Sequence, residues 1–155
     1  MIKAKKAQSA MEYLMTYGWA ILIVIIVAAA LFALGVFNPA TYTQSTATGF
    51  TGFQIPSGGW QFTTGGVMTL QLKNMAGANI QVTNITATYA GNLGYNGTAS
   101  GTLSPGNQYT TVVTFSGTPP AQGSTYSLDI TITYRNLDTG ISGFISSGTV
   151  TGTVS

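Results

Sequence analysis

Three lysines, Lys3, Lys5 and Lys6, stand before an apolar run from about Leu14 to Phe37. Beyond them Glu12 is the only charge until Lys73. Roughly 20 uninterrupted apolar residues suffice to cross a bilayer as a helix. The basic flank places its own end in the cytoplasm and the rest of the chain outside. The residue before a proline avoids the helical region, so Asn38-Pro39 predicts the helix stop. From Ala7 to Phe37 such a helix is a rod of roughly 46 Å, longer than a bilayer core requires. The segment is apolar on all faces, which argues against the core helix of a soluble domain. An ordinary membrane anchor and a secretory signal cut after Ala28-Ala29-Ala30 both remain open on these grounds. Neither accounts for Glu12, because a carboxylate at the edge of an apolar segment is costly unless it finds a partner.

The residues around Glu12 carry a resemblance. Lys5-Lys6-Ala7 followed by Gln8-Ser9-Ala10-Met11-Glu12-Tyr13-Leu14 resembles the class III signal of archaeal type IV pilins. In that family a prepilin peptidase cuts at the cytoplasmic face, before the apolar segment. The resemblance, which covers about residues 5 to 38, implies a cut between Ala7 and Gln8. Gln8 becomes the first mature residue and Glu12 the fifth, where the family's hallmark glutamate stands. It further implies a leader over 1–7, an assembly and transmembrane helix over 8–38 that includes Glu12, Tyr13 and Leu14, and an extracellular domain over 39–155. The implied partners are further copies of the chain in a helical filament, the peptidase, the assembly machinery and, before assembly, the cytoplasmic membrane. Archaellins share the leader logic, but their usual opening after the cut differs from QSAMEY, so the resemblance favours a pilin. A membrane-anchored extracellular binding module is the alternative.

Charge narrows the partners further. The formal net charge is +2, but three of the five basic residues are the N-terminal lysines. What remains is Lys73 and Arg135 against Glu12, Asp129 and Asp138. A nucleic-acid interface needs a clustered basic face that releases counterions, so no nucleic acid is expected. The chain has no Cys and no His, which removes thiolate metal sites and histidine acid-base chemistry. No cofactor, no metal and no enzymatic activity are expected.

Beyond Ala40 the helical signal gives way to period-two alternation. Tyr126, Leu128, Ile130, Ile132 and Tyr134 alternate with Ser127, Asp129, Thr131 and Thr133, the pattern of a half-buried strand. Tyr109 to Phe115 repeats it. Further strands are expected over Val67–Lys73, Ile80–Tyr89, Thr98–Leu103, Gly143–Ser146 and Thr149–Val154. The apolar phase slips between Val82 and Ile85, which predicts a bulge. The polar stretch Thr41 to Thr48 reads as a hinge or a first strand. Strands divided by glycine-rich turns at this interval predict an α+β chain: a long N-terminal hydrophobic α-helix followed by an antiparallel, Ig-like β-sandwich.

Two triplets, Asn84-Ile85-Thr86 and Asn96-Gly97-Thr98, match the N-glycosylation acceptor pattern, which makes Asn84 and Asn96 candidate modification sites. Leu137-Asp138-Thr139-Gly140 resembles an aspartic-protease triplet. That chemistry needs two carboxylates sharing a proton, whereas Asp and Gly are ordinary turn residues, so a turn is expected. The aromatics Trp60, Phe62, Tyr89, Tyr95, Tyr126 and Tyr134 are expected in the core or in subunit contacts.

Overall fold

The computed structural model describes residues 3–37, 44–97 and 100–155, with side chains of the N-terminal helix described from Ser9 onward. The chain divides into two compact units, Met1–Tyr42 and Thr43–Ser155.

The first unit is one helix, α1 (Lys3–Ala33), of 31 residues. Its end is written in Gly35, not in the proline. Gly35 takes φ 70°, a left-handed conformation that a residue without Cβ adopts freely. The Val36 amide then donates to the Leu31 carbonyl at 3.1 Å and the Gly35 amide to the Phe32 carbonyl at 3.0 Å. This reciprocal pair is a Schellman cap, which satisfies carbonyls that the last helical turn leaves without partners. The helix therefore stops before the predicted break at Asn38-Pro39, which lies outside the described residues.

The second unit is an antiparallel sheet of nine described strands: β1 (Ala47–Thr48), β2 (Phe53–Gln54), β3 (Trp60–Phe62), β4 (Val67–Asn74), β5 (Ile80–Tyr89), β6 (Asn92–Asn96), β7 (Gln108–Phe115), β8 (Thr125–Asn136) and β9 (Phe144–Thr153). They follow the order β1-β9-β8-β5-β6-β7-β4-β2, with β3 also on β4. An Ig-like sandwich would divide these strands into two sheets. Here they form one continuous sheet curled into a half-barrel. The reason is β6, which pairs with β5 over Ile85↔Asn96 to Tyr89↔Asn92 and with β7 through Gly94↔Phe115 and Tyr95↔Thr114.

Alternation fixes which face is inside. Every second residue is buried throughout β4 and in β8 from Tyr126 to Ile132, and Leu70, Leu72, Leu128 and Ile132 are inaccessible to solvent. Phe62 lies in an aromatic cluster, its ring 5.2 to 5.3 Å from those of Tyr89, Phe115 and Tyr126. Trp60 and Tyr134 pack against the same core, whereas Tyr95 is exposed.

Sheet edges are covered by short segments. β2 and β3 share one edge of β4, with Phe53 opposite Asn74 and Trp60 opposite Leu70. Between them stands Pro56, which has no N–H for a ladder. The end of the chain closes against β3: the Ser155 amide donates to Phe62 O at 3.1 Å and the Thr64 amide to Ser155 O at 3.4 Å. Trp60 Nε1 adds a bond to Thr151 O at 3.2 Å.

The expected bulge in β5 is present, with a register shift between Val82 and Asn84. The expected strands Gly143–Ser146 and Thr149–Val154 are one strand, β9, because Ser147 and Gly148 keep pairing with Thr131 and Ile130. The stretch Thr41 to Thr48 ends in β1, whose Ala47 and Thr48 pair with Val150 and Thr149; residues 41–43 lie outside the description. In place of a strand over Thr98–Leu103, Leu103 forms an isolated bridge to Ile80, and Thr98 and Ala99 lie outside the described residues.

Candidate functional site

The surface with the strongest physical demand for a partner is α1. Ser9–Ala33 is apolar over 25 residues and 0% buried. Met11, Tyr13, Leu14, Met15, Trp19 and Ile21 are among its exposed side chains. A contiguous apolar surface of this kind is not tolerated by a free soluble chain. Such a surface is suited to packing against a partner or a membrane.

At its N-terminal end Glu12, Tyr13 and Leu14 are all exposed. The Tyr13 and Tyr17 rings, one turn apart, have centroids 4.2 Å apart at 33°. The Thr16 hydroxyl donates to the Glu12 carbonyl at 3.0 Å, a bond that keeps this polar side chain on the helix backbone. Ala7 and Gln8 are helical in backbone, so the bond between them lies inside α1; their side chains lie outside the description. Next to Gly18 the helix surface opens into a shallow notch of about 290 Å³ lined by Leu14, Met15, Trp19 and Leu22.

The two candidate acceptor asparagines differ in environment. Asn84 follows the β5 bulge at Thr83 and pairs with Thr133, and its Oδ1 is buried with no hydrogen-bond partner among the described residues. Asn96 ends β6. Its Nδ2 donates to Thr111 Oγ1 at 2.7 Å and to Val112 O at 2.6 Å. Those bonds run from β6 to β7 beyond the two backbone pairs that join them. Thr98, which completes the Asn96 triplet, lies outside the described residues.

Asp138 is held in a turn. The Asn79 amide donates to Asp138 Oδ2 at 2.9 Å and Asn79 Nδ2 to Oδ1 at 2.8 Å. Asn136 Oδ1 accepts from the amides of Asp138 and Thr139. The Asn79 side-chain bond, followed by the backbone bond, holds the Asp138 carboxyl below its ordinary value of 3.8. Both carboxylate oxygens thus tie the β8–β9 connection to the β4–β5 turn.

Two groups of exposed apolar side chains lie on the sheet, and of these residues only Tyr95 was singled out by sequence reasoning, as a core or subunit-contact residue. Leu93 and Tyr95 of β6 face outward with Val112 of β7. Met75, Ile141, Phe144 and Ile145 are exposed in or beside the two turns that Asp138 joins. Alternation alone sends Leu and Tyr inward. In β6 the inward residue is Gly94, so the pattern is inverted and carries no warning.

Comparison with known proteins returns no family model that matches the chain and no curated protein that matches it.

Proposed function

We propose that this chain is a structural subunit of an archaeal type IV pilus-like surface filament, polymerising through α1 and serving attachment to surfaces. The observation that carries this reading is the largely apolar helix segment Ser9–Ala33, 0% buried, preceded and opened by the string QSAMEYL of residues 8–14 with its single carboxylate at Glu12. In the membrane the helix is solvated by lipid. In a filament the same surface is solvated by neighbouring helices, at about 25 cal/mol for each Å² removed from water. A heterologous contact that does not close gives an open helical filament.

In this reading the prepilin peptidase cuts between Ala7 and Gln8. The new α-amino group of Gln8 then pairs with Glu12 of the same or a neighbouring subunit, fixing register through the penalty on an unpaired buried charge. Tyr13 and Leu14 join the bundle. The β domain forms the outer sheath, where Asn84 and Asn96 are candidate acceptors of N-linked sugar. The role is structural and not catalytic, a reading supported by a chain without His or Cys and with three side-chain carboxylates in all.

N-terminal sequencing of cell-surface protein combined with negative-stain microscopy of sheared material tests the reading. Filaments whose subunits begin at Gln8 are expected. Cell-surface preparations without filaments containing this chain would overturn it. A membrane-anchored binding module is the second reading, favoured by the match between a 25-residue apolar span and bilayer thickness; it requires an N-terminus at Met1 and no filaments.

A further inference from the structure

Resting on the reading that α1 is solvated by lipid before assembly, we infer that its position in the bilayer is set by two features of the helix itself. Glu12 marks the cytoplasmic boundary of the hydrocarbon and the Gly35 cap marks the outer one, so that the crossing segment runs from Tyr13 to Leu34.

The first boundary follows from charge. A carboxylate inside hydrocarbon is strongly disfavoured, and Glu12 has no other charged residue between it and Lys73 to neutralise it from the apolar side. Tyr13 and Tyr17 stand just inside it. Side chains on a helix lean toward its N-terminus, which carries both phenol groups toward the headgroup layer, where Tyr is enriched. The second boundary follows from backbone bonding. The Val36 to Leu31 and Gly35 to Phe32 bonds satisfy two of the final carbonyls. The remaining ones have no intrahelical partner among the described residues, and unsatisfied backbone groups are excluded from lipid. The cap must therefore reach the outer interface.

The distance between the boundaries fits. The stretch from Tyr13 to Leu34, about 22 residues at 1.5 Å each, rises roughly 33 Å against a hydrocarbon core of about 30 Å, which an ordinary tilt of about 20° accommodates. Its midpoint falls between Ile23 and Val24. A rival register, fixed by the lysines alone, would begin the crossing at Ala7 and end it near Ala28. That register buries Glu12, centres the bilayer near Tyr17 and places the Gly35 cap in water. In the register inferred here Glu12 is hydrated in the membrane and loses that hydration only on transfer into a helix bundle. Its need for a partner is created by assembly.

The chain has no cysteine, so single nitroxide labels can be placed without background. Thr16→Cys, Val24→Cys and Leu31→Cys, each in the full chain reconstituted in phosphatidylcholine vesicles with a minor fraction of phosphatidylglycerol, are compared by collision with oxygen and with a water-soluble nickel relaxant. Val24 is expected to be the deepest, with Thr16 and Leu31 shallower and alike. A deepest position at Thr16, with Leu31 accessible to nickel as if in water, overturns the register while leaving the membrane segment standing. Water-like accessibility at all three positions overturns the register together with the lipid-solvated reading on which it rests.

Discussion

Asn96 Nδ2 donates to Thr111 Oγ1 at 2.7 Å, and this side chain bridges β6 and β7 where their backbone ladder, Gly94↔Phe115 and Tyr95↔Thr114, has ended. Thr111 is 3% exposed, so its hydroxyl depends on protein partners. An amide nitrogen carries two protons, and both of these bonds draw on them. Sugar attached to that nitrogen replaces one proton and removes one bond. Asn96→Ala is expected to lower the stability of the β domain by about 1–3 kcal/mol, the penalty for buried groups left unpaired. Thr98→Ala deletes the acceptor triplet and keeps the amide. Denaturant unfolding of the full chain in detergent, followed by Trp60 fluorescence with Trp19 replaced by Phe, separates the two. Equal losses in both variants would assign the stability to sugar and not to the amide bonds.

Gly94 is where β6 lies closest to the core. A Cβ at this position would stand 2.8 Å from Val113 Cγ1 and 2.9 Å from the Phe115 ring, both belonging to the neighbouring strand. Overpacking of this kind costs about 1–3 kcal/mol. Gly94→Ala is therefore expected to lower the unfolding midpoint in the same assay. An unchanged midpoint would mean that the β6–β7 seam can open without loss.

Ala90 and Gly91 turn β5 into β6 with φ of 47° and 82°. Positive φ at both central residues of a two-residue hairpin is the primed turn that matches strand twist. An alanine in left-handed space is disfavoured by roughly 1–2 kcal/mol, and Asn tolerates it better. Ala90→Asn should raise the melting temperature of the β domain, whereas Ala90→Val should lower it. Differential scanning calorimetry in detergent provides the comparison.

The Asp138 turn sets an acid dependence. Its carboxyl is held below 3.8 in the folded chain by the Asn79 bonds, so the unfolded chain binds the proton first as pH falls. This contribution is present above the unfolded value and disappears as pH drops through the folded one. Glu12 and Asp129 are the only other side-chain carboxylates, which keeps the acid limb simple. Asp138→Ala should lower the melting temperature at neutral pH and flatten its decline below about pH 4. A decline as steep as in the parent chain would place the acid sensitivity elsewhere. At the alkaline end burial raises the Tyr126 phenol above 10.0, and stability is lost above that pH as the unfolded phenol ionises first.

What the sequence by itself determined was whatever depends on periodicity and on composition. The apolar run past Glu12 dictated a helix, and alternation in Tyr126 to Tyr134 and in Tyr109 to Phe115 dictated β8 and β7. The slip after Val82 located the β5 bulge. These are local patterns, written in consecutive residues. Tertiary structure decided the rest. The helix ends at Gly35 because a left-handed glycine can close a Schellman cap there, a choice among the glycines that no spacing singled out. Three-residue β3 and two-residue β2 are too short to carry a period, and exist because the open edge of β4 needs partners. β6 was invisible because its inward residue is Gly94 and its apolar side chains point out. One strand hidden in this way decides between two sheets and one curled sheet, because Gly94 lets its backbone come close enough to the core to bond on both sides.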